Sequence, residues 1–159
     1  MNAPQNQHGE PIWYELLTKN LARAQAFYSG LIGWHVVDAG MPGMDYHLAM
    51  QGPAAIGGIM PLSAEMCDAG AMPIWLPYFG VDDVDKAVEK AVAGGAALQL
   101  SAFDVPDVGR MAMLAHPHAG MFYVMRGTSP EPSTSFAARA PMVGHAAWKP
   151  GFGHGGPQR

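Results

Sequence analysis

At 159 residues, 49 % hydrophobic and 14 % charged, the chain has the length of one domain and the apolar content of a packed core. Its net charge of −4, with nine Lys and Arg scattered along it, lacks the basic stripe that phosphate backbones need, so no nucleic-acid partner is expected. No apolar run approaches the roughly 20 residues of a bilayer span, and the polar start 1–7 does not read as a secretory signal, so no membrane partner is expected either. The lone Cys67 cannot form an internal disulfide and reads as incidental; the expected compartment is the cytoplasm.

Residues 12–18 are aromatic and apolar and read as a strand. Asn20 then offers an N-cap, and Leu21, Ala24, Phe27, Tyr28 and Leu31 recur at helical spacing until Gly33. Three short strands are expected at 34–38, 45–50 and 54–62, and residues 63–73 read as a connector. A second aromatic strand follows at 74–81. Asp82 and Asp83 can cap a helix whose stripe is Val84, Ala87, Val88, Ala91 and Val92, closed by Gly94-Gly95. Strands at 97–103, 109–115 and 121–126 complete the series.

The order is thus βαβββ twice. Residues 18–24 overlay residues 81–87 at an offset of 63, with Arg23 and Lys86 in register. Such internal duplication decides a fold. From Gly127 the composition turns to Ser, Pro, Gly and Ala: 128–134 reads as a linker, and 150–157 as a mobile end.

The run from Trp13 to Tyr28, ending in Gly33-Trp34, resembles the opening of a glyoxalase/bleomycin-resistance/dioxygenase (vicinal oxygen chelate) module. Tyr78 to Ala87 resembles the matching junction of a second module, and His116 to Phe122 the turn before its last strand. The resemblance spans about 9–127. It implies an α+β fold in which two tandem βαβββ modules, about 9–62 and 74–127, form an open, cup-shaped mixed sheet with helices outside. It implies little about activity, since the superfamily includes isomerases, lyases, dioxygenases, epimerases and drug-binding proteins. A homodimer is expected by analogy. The segment from Val143 to Trp148 resembles the first strand of a further module, so 128–159 reads as the remnant of a second domain or as a strand pairing with a sheet edge.

Metal enzymes of the family carry His, Gln or Glu on the first and last strands of both modules. Carried over, those positions fall on Trp13, Leu76, Gly57 or Gly58, and Tyr123. This set is poor in ligand atoms, so no metal and no cofactor is expected. His47, His116, His118, His145 and His154 read as surface or turn residues.

Strand alternation then assigns faces. Trp13, Glu15 and Leu17 should face the cup, with Ile12, Tyr14 and Leu16 under the first helix. Leu76, Tyr78 and Gly80 should face it from the second module, with Trp75 and Phe79 behind. Met121, Tyr123 and Met125 complete the expected lining, and Gly57 and Gly58 leave space. Glu15 is the best candidate for chemistry. A carboxyl aimed into an apolar cup has its pKa raised, unless a cation such as Arg110 answers it, and it becomes a candidate general base. A structural Glu is the competing reading. Three functions remain open: a metal-independent protein binding a small apolar or aromatic molecule, which is preferred; a glyoxalase, isomerase or dioxygenase with unusual ligands drawn from Glu15, Tyr123 or His116; and a purely structural domain.

Overall fold

The computed structural model describes residues 6–137 and 144–147. Strand β1 (Pro11–Thr18) leads into helix α1 (Leu21–Ile32), then β2 (His35–Asp38), β3 (His47–Gln51) and β4 (Ala54–Pro61). After α2 (Ala64–Asp68) the order repeats as β5 (Ile74–Gly80), α3 (Val84–Ala93), β6 (Ala97–Val105), β7 (Gly109–Ala115) and β8 (Met121–Gly127). The fold is α+β, two βαβββ modules sharing one open mixed sheet in the order β2-β3-β4-β1-β5-β8-β7-β6. Among the described residues, no helix is long and apolar enough to cross a membrane.

Local chemistry sets the helix ends. The Asn20 side chain accepts the Arg23 N–H at 2.9 Å, and Gly33 closes α1 at φ 77°. Asp83 caps α3 in the same way through the Lys86 N–H. Ser63 caps α2, a short helix inside the stretch expected to be a plain connector. Beneath α1, Leu16, Val36 and Ile59 pack against Leu21, Ala24 and Tyr28. Beneath α3, Ala112, Leu114 and Val124 pack against Ala87, Val88 and Ala91. The buried stripe is narrower than the apolar one: Phe27, Leu31 and Val92 are exposed.

The modules meet at the antiparallel β1–β5 pair, where Trp13 lies opposite Tyr78, Tyr14 opposite Pro77, and Glu15 opposite Leu76. These pairs are symmetric about Tyr14–Pro77, the local two-fold of the duplication. On either flank the pairing is parallel: β1–β4 sets Glu15 beside Gly58, and β5–β8 sets Tyr78 beside Tyr123. The equivalent pairs Glu15–Gly58 and Tyr78–Tyr123 therefore lie on either side of this two-fold, on neighbouring rows of the sheet.

Two expected faces are corrected. The β1 register shifts between Pro11 and Trp13, and this bulge turns Ile12 into the cup-side core with Leu76, Tyr78 and Tyr123. Gly57 faces the helix layer, where a Cβ would stand 2.7 Å from the Tyr14 ring. The structure also decides between the alternatives left open for Arg110. Its guanidinium bridges Asp85 and Asp104 on the outside, so it cannot answer Glu15.

The segment read as a linker is laid along the cup mouth. Ser133 N–H donates to Asn6 Oδ1 at 2.7 Å, and the Ser133 hydroxyl donates to the Ile12 carbonyl. Farther on, β9 (Phe136–Ala137) pairs in parallel with β10 (Ala146–Ala147), and Trp34 Nε1 donates to the Gly144 carbonyl at 2.6 Å. Residues 150–157, Val143 and Trp148 lie outside the described residues.

Gly109 opens β7 at φ 147°, and a Cβ there would overlap the Arg126 carbonyl oxygen of the paired strand. Gly109→Ala is expected to cost about 2–4 kcal/mol, read as a lowered urea midpoint. An unshifted midpoint would refute this account of the hairpin.

Candidate functional site

The sheet curves around a cavity of about 710 Å³ on the face away from the helices. Of the sequence-derived site residues, Trp13, Glu15, Tyr78, Tyr123 and Met125 line it. Leu76 is fully buried in the cluster beneath, and Met121 packs against that cluster without lining the cavity. Gly58 belongs to the cup side and Gly57 does not. Residues 129–135 form part of the rim, with Glu131 exposed there.

The four symmetric positions Glu15, Tyr78, Tyr123 and Gly58 carry the polar chemistry. Glu15 is 2 % exposed. The hydroxyl of its symmetry counterpart Tyr78, 63 residues on, donates to Oε2 at 2.9 Å. Tyr78 stacks on Tyr123 with ring centroids 4.3 Å apart and planes 10° from parallel. The fourth position, Gly58, has no side chain, and the Tyr46 phenol reaches into that space: a Cβ on Gly58 would overlap its oxygen. Tyr46 in turn accepts the Trp13 indole N–H at 2.9 Å.

Sequence reading missed Tyr46, which sits just before β3 and reaches the site from there. The available signal was the Gly57-Gly58 pair in an apolar strand, since a strand glycine often marks the close approach of another group.

Burial dominates the electrostatics. Desolvation raises the Glu15 pKa, and hydrogen bonds from Tyr78 and Tyr46 only partly oppose it. Tyr46, Tyr78 and Tyr123 are all pushed up, first by burial and then by the nearby Glu15 charge, so all three phenols stay protonated. Among the described residues, no Lys, Arg or His lines the cavity.

A divalent ion of the kind used in this fold family does not fit these residues. The Trp13 nitrogen is a donor already in use, Leu76 and Gly58 have no ligand atom, and Tyr123 is a phenol held neutral. Among the described residues, no group of three His, Cys, Asp or Glu is gathered anywhere. His47 bonds Asp45 at 2.7 Å, and His116 accepts the His118 N–H inside its own turn. His145 meets the Thr134 carbonyl, and His154 lies outside the described residues.

Residues 11–123 match the model of the Glyoxalase/Bleomycin resistance protein/Dioxygenase superfamily. The chain is 37 % identical over 113 residues to the protein named "Putative glyoxylase CFP32" in Mycobacterium bovis, covering 70 % of this chain and 43 % of that one. It is 26 % identical over 129 residues to the anthracycline biosynthesis protein DnrV of Streptomyces peucetius, covering 74 % and 47 %. It thus spans less than half the length of either relative. Among solved structures, methylmalonyl-CoA epimerase from Mycobacterium tuberculosis superposes with a TM-score of 0.53 at 16 % identity, over 81 % of this chain and 94 % of that one. An extradiol ring-cleaving dioxygenase from B. fuscum superposes at 0.51 and 18 %, over 80 % and 35 %. These two likenesses speak for the fold alone. The duplicated module, the shared sheet and the family match together make this chain a member of the glyoxalase/bleomycin resistance protein/dioxygenase superfamily.

Proposed function

We propose that the cup binds a small, flat, apolar or aromatic molecule and does so without a metal ion. The observation that carries this reading is the cavity itself. Its volume of about 710 Å³ falls within the range of small-molecule sites. Its walls combine stacked phenols and Met side chains, which adapt to flat polarisable ligands, with one buried carboxyl to orient them. The two modules supply the floor and sides, and residues 129–135 the rim. The Streptomyces relative favours a fused-ring ligand, since anthracyclines are polycyclic aromatics.

The anthraquinone emodin is a suitable probe. In the presence of a chelator it should quench the tryptophan fluorescence saturably. At about 100 times its dissociation constant it should stabilise the fold by about 2.7 kcal/mol. If neither emodin nor other fused-ring compounds shift the melting point, the proposal fails. Catalysis is the second reading, favoured by the raised carboxyl of Glu15. Stoichiometric metal in purified untagged protein, lost in Glu15→Gln, would replace the binding proposal with a metal-dependent enzyme.

A further inference from the structure

The hydrogen bonds around Glu15 have a direction. The Trp13 indole nitrogen has a hydrogen and no lone pair, so at 2.9 Å from the Tyr46 oxygen it must be the donor. Tyr46 then turns its own hydrogen toward the neighbouring Glu15 carboxyl. Tyr78 donates to Oε2 from the other module. Both phenols therefore occupy acceptor sites on the carboxyl. The hydrogen of the carboxylic acid is left over: no acceptor among the described residues is bonded to it, and the cavity lies in front of it.

The groups facing Glu15 are Trp13 on its own strand, Tyr46 ahead of β3, Tyr78 on β5 and Tyr123 on β8. None is a cation. The other acid on the cavity wall, Glu131, is exposed on the rim. An ionised Glu15, itself 2 % exposed, would have phenol donors but no counter-charge among the described residues.

Resting on the ligand-binding reading above, we infer that Glu15 acts as a neutral carboxylic acid that donates a hydrogen bond to a carbonyl oxygen of the ligand. The cup then selects flat conjugated ketones and aldehydes over hydrocarbons of the same outline. A carboxyl kept neutral by apolar surroundings is a known way to present an O–H to a carbonyl. A ligand without the oxygen leaves that donor buried and unpaired, so discrimination of roughly 10- to 100-fold is expected.

Fluorenone and fluorene test this, because the two rings differ by a single carbonyl oxygen. Both are titrated into the full chain and into Glu15→Gln and Glu15→Leu, from about pH 5 upward to about pH 9, on the alkaline side of an ordinary carboxyl. The wild type should prefer fluorenone at least about 10-fold at the acid end. That preference should fade as pH rises through the Glu15 pKa. Glu15→Gln offers an oxygen to the two phenols and an N–H to the cavity, so it should keep the preference at every pH. Glu15→Leu should bind both rings alike, and its fluorene binding reports an intact cup. Equal binding of the two by the wild type overturns the carbonyl inference and leaves the aromatic cup standing. Binding of neither overturns both. Loss of the preference in Glu15→Gln, or a preference that grows with pH, also overturns the inference.

Discussion

Gly58→Leu is expected to abolish emodin binding while leaving the chain folded. Position 58 faces the cup, and even a Cβ would overlap the Tyr46 oxygen. The clash falls on the far end of a flexible side chain beside a large cavity, so relaxation is cheap. The phenol swings out, and its bonds to the Trp13 N–H and the Glu15 carboxyl are lost. The isobutyl group then takes the space that the phenol vacates beside Glu15. A loss of affinity of at least about 30-fold corresponds to about 2 kcal/mol, the scale set by a displaced hydrogen bond and a blocked contact surface. The measurement is an emodin titration paired with urea unfolding. Unchanged affinity in a folded variant would mean that the Tyr46 corner plays no part in the site.

The second large effect concerns stability and pH. The folded-state pKa of Glu15 lies above its ordinary value of 4.5, because burial penalises the charged form more than two phenols can compensate. The native state therefore holds this proton more tightly than the unfolded state does. The corresponding stability is complete below the ordinary value and is lost as pH rises through the folded one. Between the two values the loss runs at about 1.4 kcal/mol per pH unit. Glu15→Gln removes the titration, so its stability curve, subtracted from that of the wild type, should isolate this slope. Asp83 and Asp85, both held low by their neighbours, act in the opposite direction but are common to both proteins and cancel. Parallel curves from acid to neutral pH would show that Glu15 keeps an ordinary pKa and that the apolar account of the site is wrong.

These effects depend on contacts of different reach, and that reach decided what could be read from the chain. Helix ends at Asn20, Gly33 and Asp83 are local capping events, so residue type and spacing announce them. The duplication is legible because both modules solve the same packing problem at an offset of 63 residues. Period-two alternation brought Trp13, Glu15, Tyr78, Tyr123 and Met125 to one face, where the structure has them. Alternation fails wherever the ladder slips, as at the β1 bulge that turns Ile12 inward. On β4, position 57 against 58 was left open in the sequence, and β3 registers on β4 with a shift of its own.

Capping and the internal repeat, both short-range or periodic properties, were enough to announce two βαβββ units; the family resemblance implied the shared cup, and strand alternation put Glu15 on its face. Only the tertiary structure decided what surrounds that acid. The Tyr46 phenol beside Gly58, the Tyr78 hydroxyl on Glu15, the outward pairing of Arg110 and the Ser133 bond to the Ile12 carbonyl each join residues distant along the chain or on separate elements. No local pattern encodes such meetings, because they depend on how a twisted sheet closes around its own cavity.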